Sequence, residues 1–340
     1  MSAFRDILLK LCRREDLNRD EAVEAFGHIM SGEAAEAEIG GLLVGLASKG
    51  TTVDELVGAA TVMRQGLIPI DCTGIGVVLD TCGTGGDIRH TFNISTAAAL
   101  IAAGAGVKVV KHGNRSVSGH CGAADVLEKL GLNLEISPQD LRRCLDRANI
   151  CFAFARAHHP VLRHVAQARK SLGIPTIFNL LGALNNPGRA SHQLLGVFAP
   201  ELTDRLAAVL RELGSARAWV VHSEDGLDEI STVAPTRISA LLPGKHIHSW
   251  TLDPKDFDIP YARLPDLQVS TMDQAADALT SVLQNKPGPR RDIALLNAAA
   301  ALVVAERAAD IREGLEIARK SLETGSAQNA LQALIAESKN

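Results

Sequence analysis

The sequence lacks the features that mark several large classes of protein. Its six cysteines form no C-x-x-C pair, and a chain of 340 residues needs no disulfides for stability, so we expect reduced thiols and a reducing compartment. The uncharged, largely apolar run at residues 91–107 is shorter than the ~20 residues that a membrane-spanning helix requires. The first residues do not resemble a signal peptide. The sequence therefore predicts a cytoplasmic protein without a membrane partner.

An excess of positive charge is also missing. The 35 Lys and Arg residues against 39 Asp and Glu give a net charge of −4, and the pI is near 6.3. Domains that bind nucleic acid are usually basic, so we expect no nucleic-acid partner, although a local basic patch is compatible with this charge. The hydrophobic content of 46% is typical of a globular protein with a sizeable core, and the length favours two domains.

The first 66 residues predict a compact unit of four helices. Apolar residues recur at helical spacing, and two polar pairs three residues apart, Asn18 with Glu21 and Thr52 with Glu55, are typical of capped helix starts. Residues 67–71 include a proline in a short extended segment, which indicates a linker.

Beyond the linker, apolar runs alternate with helical stretches. This alternation predicts an α/β domain with a mostly parallel central sheet flanked by helices. The predicted strands are residues 77–80, 107–110, 151–154, 194–198 and 218–222. The predicted helices are residues 97–104, 122–130, 138–147 and 201–214, with two surface helices at 292–307 and 311–324.

Two glycine-bearing loops follow predicted strands. The first, GTGGD at residues 83–87, lets backbone N–H groups turn toward one point, an arrangement that binds phosphate. The second, KHGNRSVS at residues 111–118, adds two cations, an amide and hydroxyls. Ligands of open parallel sheets bind at this edge, outside the carboxyl ends of the strands.

A third polar segment, NIST at residues 93–96, leads into an apolar helix. A helix N-terminus binds anions through its free N–H groups, and we expect Ser95 or Thr96 to cap this helix. The three segments together suit a ligand with several phosphate groups. Neither a Walker motif nor G-x-G-x-x-G after a strand is present, which disfavours a P-loop nucleotide or a dinucleotide.

Acidic and basic residues farther along the chain leave more than one interpretation. Asp228 and Glu229 are adjacent carboxylates, either in a solvated loop or, beside a polyphosphate, holding Mg²⁺. The pair His158–His159 has no third ligand at zinc spacing, so packing or substrate contact is favoured. Arg169 is either an exposed helix residue or the partner of a carboxylate.

These motifs, in this order and spacing, resemble those of the anthranilate phosphoribosyltransferases. The resemblance covers essentially the whole chain. Besides the segments above, it rests on GAAD at 122–125, HP at 159–160, TIFNLLG at 176–182, NP at 186–187, DGLDE at 225–229, LNA at 296–298 and EGLEIA at 313–318.

The resemblance implies a fold and an activity. The fold is a small helical domain, residues 1–70 joined by a middle segment at about 169–191, hinged to an α/β donor-binding domain of residues 71–340. The helical domain is expected to mediate a homodimer. The activity is transfer of phosphoribose from 5-phosphoribosyl 1-pyrophosphate to the amino group of anthranilate, with two Mg²⁺ ions, in tryptophan biosynthesis.

The resemblance also implies site residues. Those expected to bind the donor are Gly83, Gly86, Asp87, Thr91, Asn93, Ser95, Thr96, Lys111, His112, Gly113, Asn114, Arg115, Ser116, Val117, Ser118, Gly119 and Ala123. Those expected at the acceptor are Gly83, Asn114, Arg169, His112, His159 and Gly182. The expected metal ligands are Ser95, Asp228 and Glu229. Lys111 is expected to stabilise the leaving pyrophosphate, and no general base is assigned.

The sequence departs from the family pattern at several positions, which include Arg156 and Ala157 in a variable stretch. Gly119 and Ala123 stand where serines are usual, so two hydroxyl donors are missing from the phosphate loop. Ala183 and Asn185 replace a proline and an apolar residue near the acceptor, which leaves a substituted aminobenzoate open as the acceptor.

Two competing interpretations are a pyrimidine nucleoside phosphorylase and a non-catalytic nucleic-acid-binding relative. The intact KHGNR segment counts against both, and the net charge of −4 counts against the second.

Overall fold

The computed structural model describes residues 3–85, 89–115 and 121–340, and its N-terminal part is a bundle of four helices. They are α1 Ala3–Cys12, α2 Arg19–Met30, α3 Glu36–Lys49 and α4 Val53–Gln65. Asn18 and Thr52 cap α2 and α4 through reciprocal hydrogen bonds with Glu21 and Glu55. Both predicted capping pairs are therefore confirmed, and the bundle is closed by fully buried apolar residues of α2, α3 and α4.

In the part of the chain that the structure describes, seven strands form one sheet in the order β3-β2-β1-β4-β5-β6-β7. They are β1 Val78–Gly83, β2 Lys108–Gly113, β3 Ile150–Phe154, β4 His192–Gly196, β5 Arg217–Ser223, β6 Thr236–Leu241 and β7 Ile247–Leu252. Strands β1 to β5 pair in parallel, whereas β6 and β7 are antiparallel. The chain builds outward from β1 on one side and then returns beside β1 to build the other, so the strand order reverses between β1 and β4.

The remaining helices cover both faces of this sheet. They are α5 Ile94–Gly104, α6 Ala123–Lys129, α7 Pro138–Ala148, α8 Ala155–His158, α9 Arg163–Leu172, α10 Phe178–Leu181, α11 Leu202–Glu212, α12 Leu264–Leu267, α13 Met272–Leu283, α14 Pro289–Val304, α15 Ile311–Glu323 and α16 Ser326–Glu337. Helix α11 packs between the sheet and α4, while α5, α14 and α16 pack together on the opposite face.

One expectation about these elements was wrong, and two strands were missed. Strands β6 and β7 were not predicted, because their alternating polar residues resemble loops until the β5 edge provides a partner. Helix α14 was predicted at the surface, yet every residue from Ile293 to Val304 is buried. Gly314 lets α15 approach this helix closely, because a Cβ at Gly314 would lie 2.7 Å from the carbonyl oxygen of Ala299. No helix among the described residues is long and apolar enough to span a bilayer.

The segment between β3 and β4 packs on the helical bundle. Helix α9 contacts α2 and α3, and the Phe178 ring on α10 meets the Phe26 ring of α2 edge to face at 6.0 Å. The guanidinium of Arg64 on α4 donates to the carbonyl oxygens of Leu184 and Leu213. These contacts join the segment to the bundle, and the assignment of residues 169–191 to the helical domain stays a prediction, as do the domain boundaries.

Candidate functional site

The candidate site lies where the carboxyl ends of the central strands meet. The GTGGD segment follows β1, the KHGNRSVS segment spans the end of β2, and the DGLDE segment follows β5. Reversal of the strand order between β1 and β4 opens a crevice at this edge, because the loops after these strands run in opposite directions. Segments far apart in the sequence thus converge at one edge of the sheet.

Two glycines at adjacent strand ends make room for Asp228. A Cβ at Gly83 would lie 2.3 Å from Asp228 Oδ2, and a Cβ at Gly196 would lie 1.6 Å from the Asp228 carbonyl oxygen. Gly83 and Gly196 are paired in the sheet, so the absence of two side chains creates a single recess. The DGLDE segment therefore lies directly on the ends of β1 and β4.

The two carboxylates of this segment join the other polar loops. The backbone N–H of Gly85 donates to Asp228 Oδ2 at 3.0 Å. The backbone N–H of Ser95 donates to Glu229 Oε1 at 3.1 Å, at the first turn of α5. The structure thereby brings together all three predicted metal ligands, Ser95, Asp228 and Glu229.

The donor atoms at this point fit a magnesium ion. Carboxylate and hydroxyl oxygens are hard ligands, and Mg²⁺ is usually held by one or two carboxylates completed by substrate phosphates and water. Among the described residues, no group of three or more His, Cys, Asp or Glu side chains could hold a metal ion. Two carboxylates and one hydroxyl would leave the other positions around such an ion to phosphate oxygens and water.

The N-terminus of α5 carries two buried polar side chains. The helix begins at Ile94, and its N-cap Asn93 makes no side-chain capping bond. The expectation that Ser95 or Thr96 caps this helix was wrong, because both residues lie within its first turn. Asn93 Oδ1 and Thr96 Oγ1 are buried without a hydrogen-bond partner among the described residues. The Thr96 hydroxyl at this helix N-terminus can donate to an anion, whereas Asn93 Oδ1 can only accept and suits a hydroxyl group of a ligand.

Other predicted donor residues have structural partners. Asn93 Nδ2 donates to the carbonyl oxygen of Cys121 at 3.0 Å, which ties α5 to the loop after β2. Thr91 forms an isolated bridge with Gln268. A Cβ at Gly113 would lie 2.8 Å from the Phe152 ring, so glycine permits the close approach of β2 and β3 there.

The cations of the KHGNR segment do not both face the crevice. Lys111 is buried, and its Nζ donates to the carbonyl oxygen of Thr81 at 2.5 Å. Arg115 forms ion pairs with Glu128 and Asp125 of α6, and these hydrogen bonds raise the pKa of Arg115. Asn114 is exposed, and its Oδ1 accepts from the Arg115 backbone N–H. Arg115 thus anchors the segment to α6.

Two predicted acceptor residues form a buried histidine pair. The Nε2 atoms of His112 and His159 lie 3.2 Å apart, and both rings are almost fully buried. Burial lowers the pKa of His159 to about 4 and lowers that of His112 well below its usual value. Both rings are therefore neutral at physiological pH. One ring donates its Nε2–H to the Nε2 of the other ring, so the two rings have different tautomers. Gly182 lies near this pair, because its backbone interacts with His112.

Arg169 carries a positive charge without a carboxylate partner among the described residues. Its guanidinium lies 5.4 Å from the centre of the Phe178 ring on α10. The side chain is partly buried, and this burial lowers the pKa of Arg169 while leaving it protonated at neutral pH. The charge is available to an anionic ligand between the bundle and the sheet.

Some predicted donor residues lie outside the described residues, namely Gly86, Asp87, Ser116, Val117, Ser118 and Gly119. Ala123 is half-buried at the start of α6.

Two polar residues beneath the loops, Asp80 and Gln193, were not singled out from the sequence. The available signal was a charged or polar residue inside an otherwise apolar strand, as in β1 and β4.

Known proteins match the chain over its whole length. The helical bundle domain of a glycosyl transferase family matches residues 5–66, and the a/b domain of that family matches residues 76–328. Anthranilate phosphoribosyltransferase of Afipia carboxidovorans is 47% identical over 339 residues, covering 100% of both chains. The enzyme of that name from Sinorhizobium medicae is 48% identical over 98% of both chains.

Solved structures match the fold equally well. The crystal structure of anthranilate phosphoribosyltransferase from Thermus thermophilus superposes with a TM-score of 0.93 at 36% identity, covering 100% of both chains. The enzyme from Saccharomyces cerevisiae, in complex with PRPP and Mg, gives a TM-score of 0.90 at 26% identity and covers 99% of this chain and 98% of that one. The chain therefore belongs to the anthranilate phosphoribosyltransferases, a family of glycosyl transferases with a helical bundle and an α/β domain.

Proposed function

We propose that the chain transfers phosphoribose from 5-phosphoribosyl 1-pyrophosphate to the amino group of anthranilate. The products are N-(5-phosphoribosyl)anthranilate and pyrophosphate, and the reaction is a step of L-tryptophan biosynthesis. The main supporting observation is the convergence of Gly85, Ser95, Asp228 and Glu229 at the switch point of the sheet. Relatives of this name match the full length of the chain.

The donor would bind across the ends of β1, β2 and the start of α5. At the start of α5, the buried Thr96 hydroxyl would donate to a phosphate oxygen, and the buried Asn93 Oδ1 would accept from a ribose hydroxyl. Ser95, Asp228 and Glu229 would hold Mg²⁺, and we propose two ions. When bound, Mg²⁺ neutralises charge on the pyrophosphate of the donor.

The acceptor would bind between the bundle and the sheet. The guanidinium of Arg169, stacked near the Phe178 ring, would bind the carboxylate of anthranilate. The neutral pair His112–His159 and Gly182 would line its path, with the exposed Asn114 at the donor side. A neutral histidine pair suits this place because a second cation would compete with Arg169 for the carboxylate.

The transfer breaks the bond between ribose C1 and pyrophosphate and forms a bond from the amine nitrogen to C1. Positive charge grows at C1 and negative charge on the leaving pyrophosphate. The Thr96 hydroxyl at the N-terminus of α5 is held in place before the reaction, so it would stabilise the leaving group without reorganisation. The arylamine loses its proton readily after attack, and no general base is assigned. Closure of the helical domain over the sheet would align the substrates and exclude water.

The function is tested by the loss of anthranilate fluorescence in the presence of the donor and Mg²⁺. Decay that stops on adding a chelator supports the donor, the acceptor and the metal together. A protein that binds the donor but leaves anthranilate unchanged overturns the proposed acceptor, and substituted aminobenzoates are then assayed in its place. A protein that does not bind the donor overturns the proposed function.

We further propose a cytoplasmic homodimer that forms through the helical domain. Leu9 on α1 and Val44 on α3 are large apolar side chains that are 45% and 40% exposed. Burial of such residues between two copies would stabilise a dimer. Light scattering during gel filtration measures the oligomeric state. The combined change Leu9→Asp and Val44→Asp is expected to give monomers, and an unchanged dimer would contradict this interface.

A further inference from the structure

A fully buried carboxylate lies directly beneath the two ligand loops. Asp80 is on β1, three residues before Gly83, and it is 0% exposed. The backbone N–H of His112 on β2 donates to Asp80 Oδ1 at 3.2 Å. On the other side, Gln193 Nε2 on β4 donates to Asp80 Oδ2 at 3.4 Å. Asp80 therefore links the three strands whose ends form the crevice.

A second buried charge, Lys111, lies on the neighbouring strand β2. Burial raises the pKa of Asp80, and the nearby ammonium of Lys111 partly offsets this rise. Lys111 is itself buried, and its Nζ points to the Thr81 carbonyl oxygen on β1. Removal of one partner of such a buried pair leaves the other charge uncompensated, which disturbs the surrounding structure far more than loss of an exposed ion pair.

Hydrogen bonds continue from this pair toward the donor side. Thr81, whose carbonyl oxygen holds the Lys111 ammonium, donates through Oγ1 to the carbonyl oxygen of Ser95 at 2.9 Å. Ser95 lies in the first turn of α5 and bonds to Glu229 through its backbone N–H. The position of α5 relative to the sheet thus depends on the same strand that carries Asp80.

Hydrogen bonds also continue toward the acceptor side. Gln193 Nε2 donates to the carbonyl oxygen of Ala183 at 2.7 Å, one residue beyond Gly182. Asn186 Nδ2 donates to the carbonyl oxygen of Val110 at 2.7 Å, on the strand that continues into Lys111. The segment that leads from α10 back to the sheet is therefore hydrogen-bonded to β4 through Gln193 and to β2 through the Val110 carbonyl oxygen.

We propose that Asp80 is a positioning residue for the transfer reaction. Asp80 fixes the end of β2 through the His112 backbone, and it fixes the Ala183 carbonyl group through Gln193. The loops proposed to bind the donor and the segment around Gly182 and Ala183, proposed to bind the acceptor, are thereby held at a constant distance and orientation. The inference rests on the proposed function, because only a reaction between two bound substrates requires this alignment. A displacement of about 1 Å between reacting groups is enough to slow such a reaction ~100-fold.

The direct test is Asp80→Asn, which conserves volume. The amide oxygen can still accept from His112, but the amide N–H₂ faces Gln193 Nε2 and the Lys111 ammonium loses its counter-charge. We expect kcat per folded molecule to fall about tenfold or more with both substrates saturating. A value within about twofold of the wild type, in a protein that folds, overturns the proposal.

The helical bundle provides a matched control. Glu55 is 0% exposed, and Lys49, whose side chain is 3% exposed, lies 2.8 Å from it. Glu55→Gln therefore removes the same kind of buried charge in the other domain. We expect this variant to melt at a lower temperature with kcat unchanged. An equal fall in kcat for both variants would mean that general destabilisation, and not positioning, explains the loss.

Coupling between Asp80 and Lys111 is tested with Lys111→Met alone and combined with Asp80→Asn. Residues that act as one unit have non-additive effects, so the double variant should lose no more activity than the worse single variant. Losses that multiply overturn the pairing.

If Asp80→Asn does not fold, Gln193→Met tests the acceptor side without changing charge. It should raise KM for anthranilate more than KM for the donor, and equal effects on both overturn the inference.

The activity of the wild-type protein distinguishes failure of the proposed function from failure of the positioning role of Asp80. If the wild type transfers nothing to anthranilate, the proposed function fails, and calorimetric titration with 5-phosphoribosyl 1-pyrophosphate and Mg²⁺ then decides the inference alone. Weaker donor binding by Asp80→Asn, with binding by Glu55→Gln unchanged, supports a positioning role for Asp80. Equal binding by both variants overturns it.

Discussion

Adding one methyl group at Gly83 should displace the carboxylate of Asp228. The new Cβ would lie 2.3 Å from Asp228 Oδ2, whereas ordinary contacts begin at 3.4 Å. The carboxylate must therefore retreat by about 1 Å or rotate away. Either movement breaks the 3.0 Å hydrogen bond from the Gly85 N–H and shifts a proposed ligand of Mg²⁺.

The expected consequence for Gly83→Ala is a fall in kcat of about 100-fold, because a misplacement of about 1 Å at a reacting centre has an effect of this order. Loss of one hydrogen bond should destabilise the fold by only about 1 kcal/mol, so the variant stays folded. The Mg²⁺ concentration for half-maximal rate should also rise. The fluorescence assay at several Mg²⁺ concentrations measures both quantities.

Gly76→Ala is the matched control, since a Cβ at Gly76 meets no atom within 4 Å. It lies in the loop before β1, and its activity should equal that of the wild type. If Gly83→Ala retains wild-type activity and Mg²⁺ dependence, then the contact between the strand end and Asp228 does not position a metal ligand, and the reasoning is refuted.

Three further predictions concern the same site. The combined change Asp228→Asn and Glu229→Gln should lower turnover at least ~100-fold without unfolding the protein, and retained activity at limiting Mg²⁺ would contradict the metal assignment. Arg169→Ala should raise KM for anthranilate about 10- to 100-fold and leave KM for the donor unchanged, because a charge-assisted hydrogen bond to the carboxylate is lost; an unchanged KM in steady-state assays would exclude that pairing. The pKa of His159 is lowered from 6.5 to about 4, so the unfolded chain binds the proton more readily, and this contribution to stability is present above pH 6.5 and lost as the pH falls toward 4. The melting temperature of His159→Gln should therefore depend less on pH across this window, and identical pH profiles for variant and wild type would show that His159 already binds a proton when folded.

The arrangement of the helical bundle could be predicted largely from local sequence. The pairs Asn18–Glu21 and Thr52–Glu55 mark two helix starts because a capping box needs only residues within one turn. The alternation of apolar strands and helices predicted the parallel core of the sheet for a similar reason: the crossover helices follow each strand directly. Strand ends were misplaced by up to a few residues, since β1 continues to Gly83.

Tertiary packing overrode local pattern in three places. Helix α14 is buried because α5 and α15 cover it, which its position near the end of the chain did not indicate. Strands β6 and β7 exist because β5 offers an open edge. Lys111 belongs to a loop motif rich in phosphate-binding residue types, yet its ammonium is held within the sheet by the Thr81 carbonyl oxygen.

The sequence by itself determined the residue types of the site and the order of its segments, because glycine turns, helix starts and adjacent carboxylates are local properties. Only the tertiary structure decided which of these groups meet. Reversal of the strand order between β1 and β4 brings Asp228 and Glu229 within hydrogen-bond distance of Gly85 and Ser95, although more than a hundred residues separate them in the chain. The same packing buried Asp80 against the His112 backbone N–H, because partners on neighbouring strands are set by sheet register and leave no trace in either strand alone.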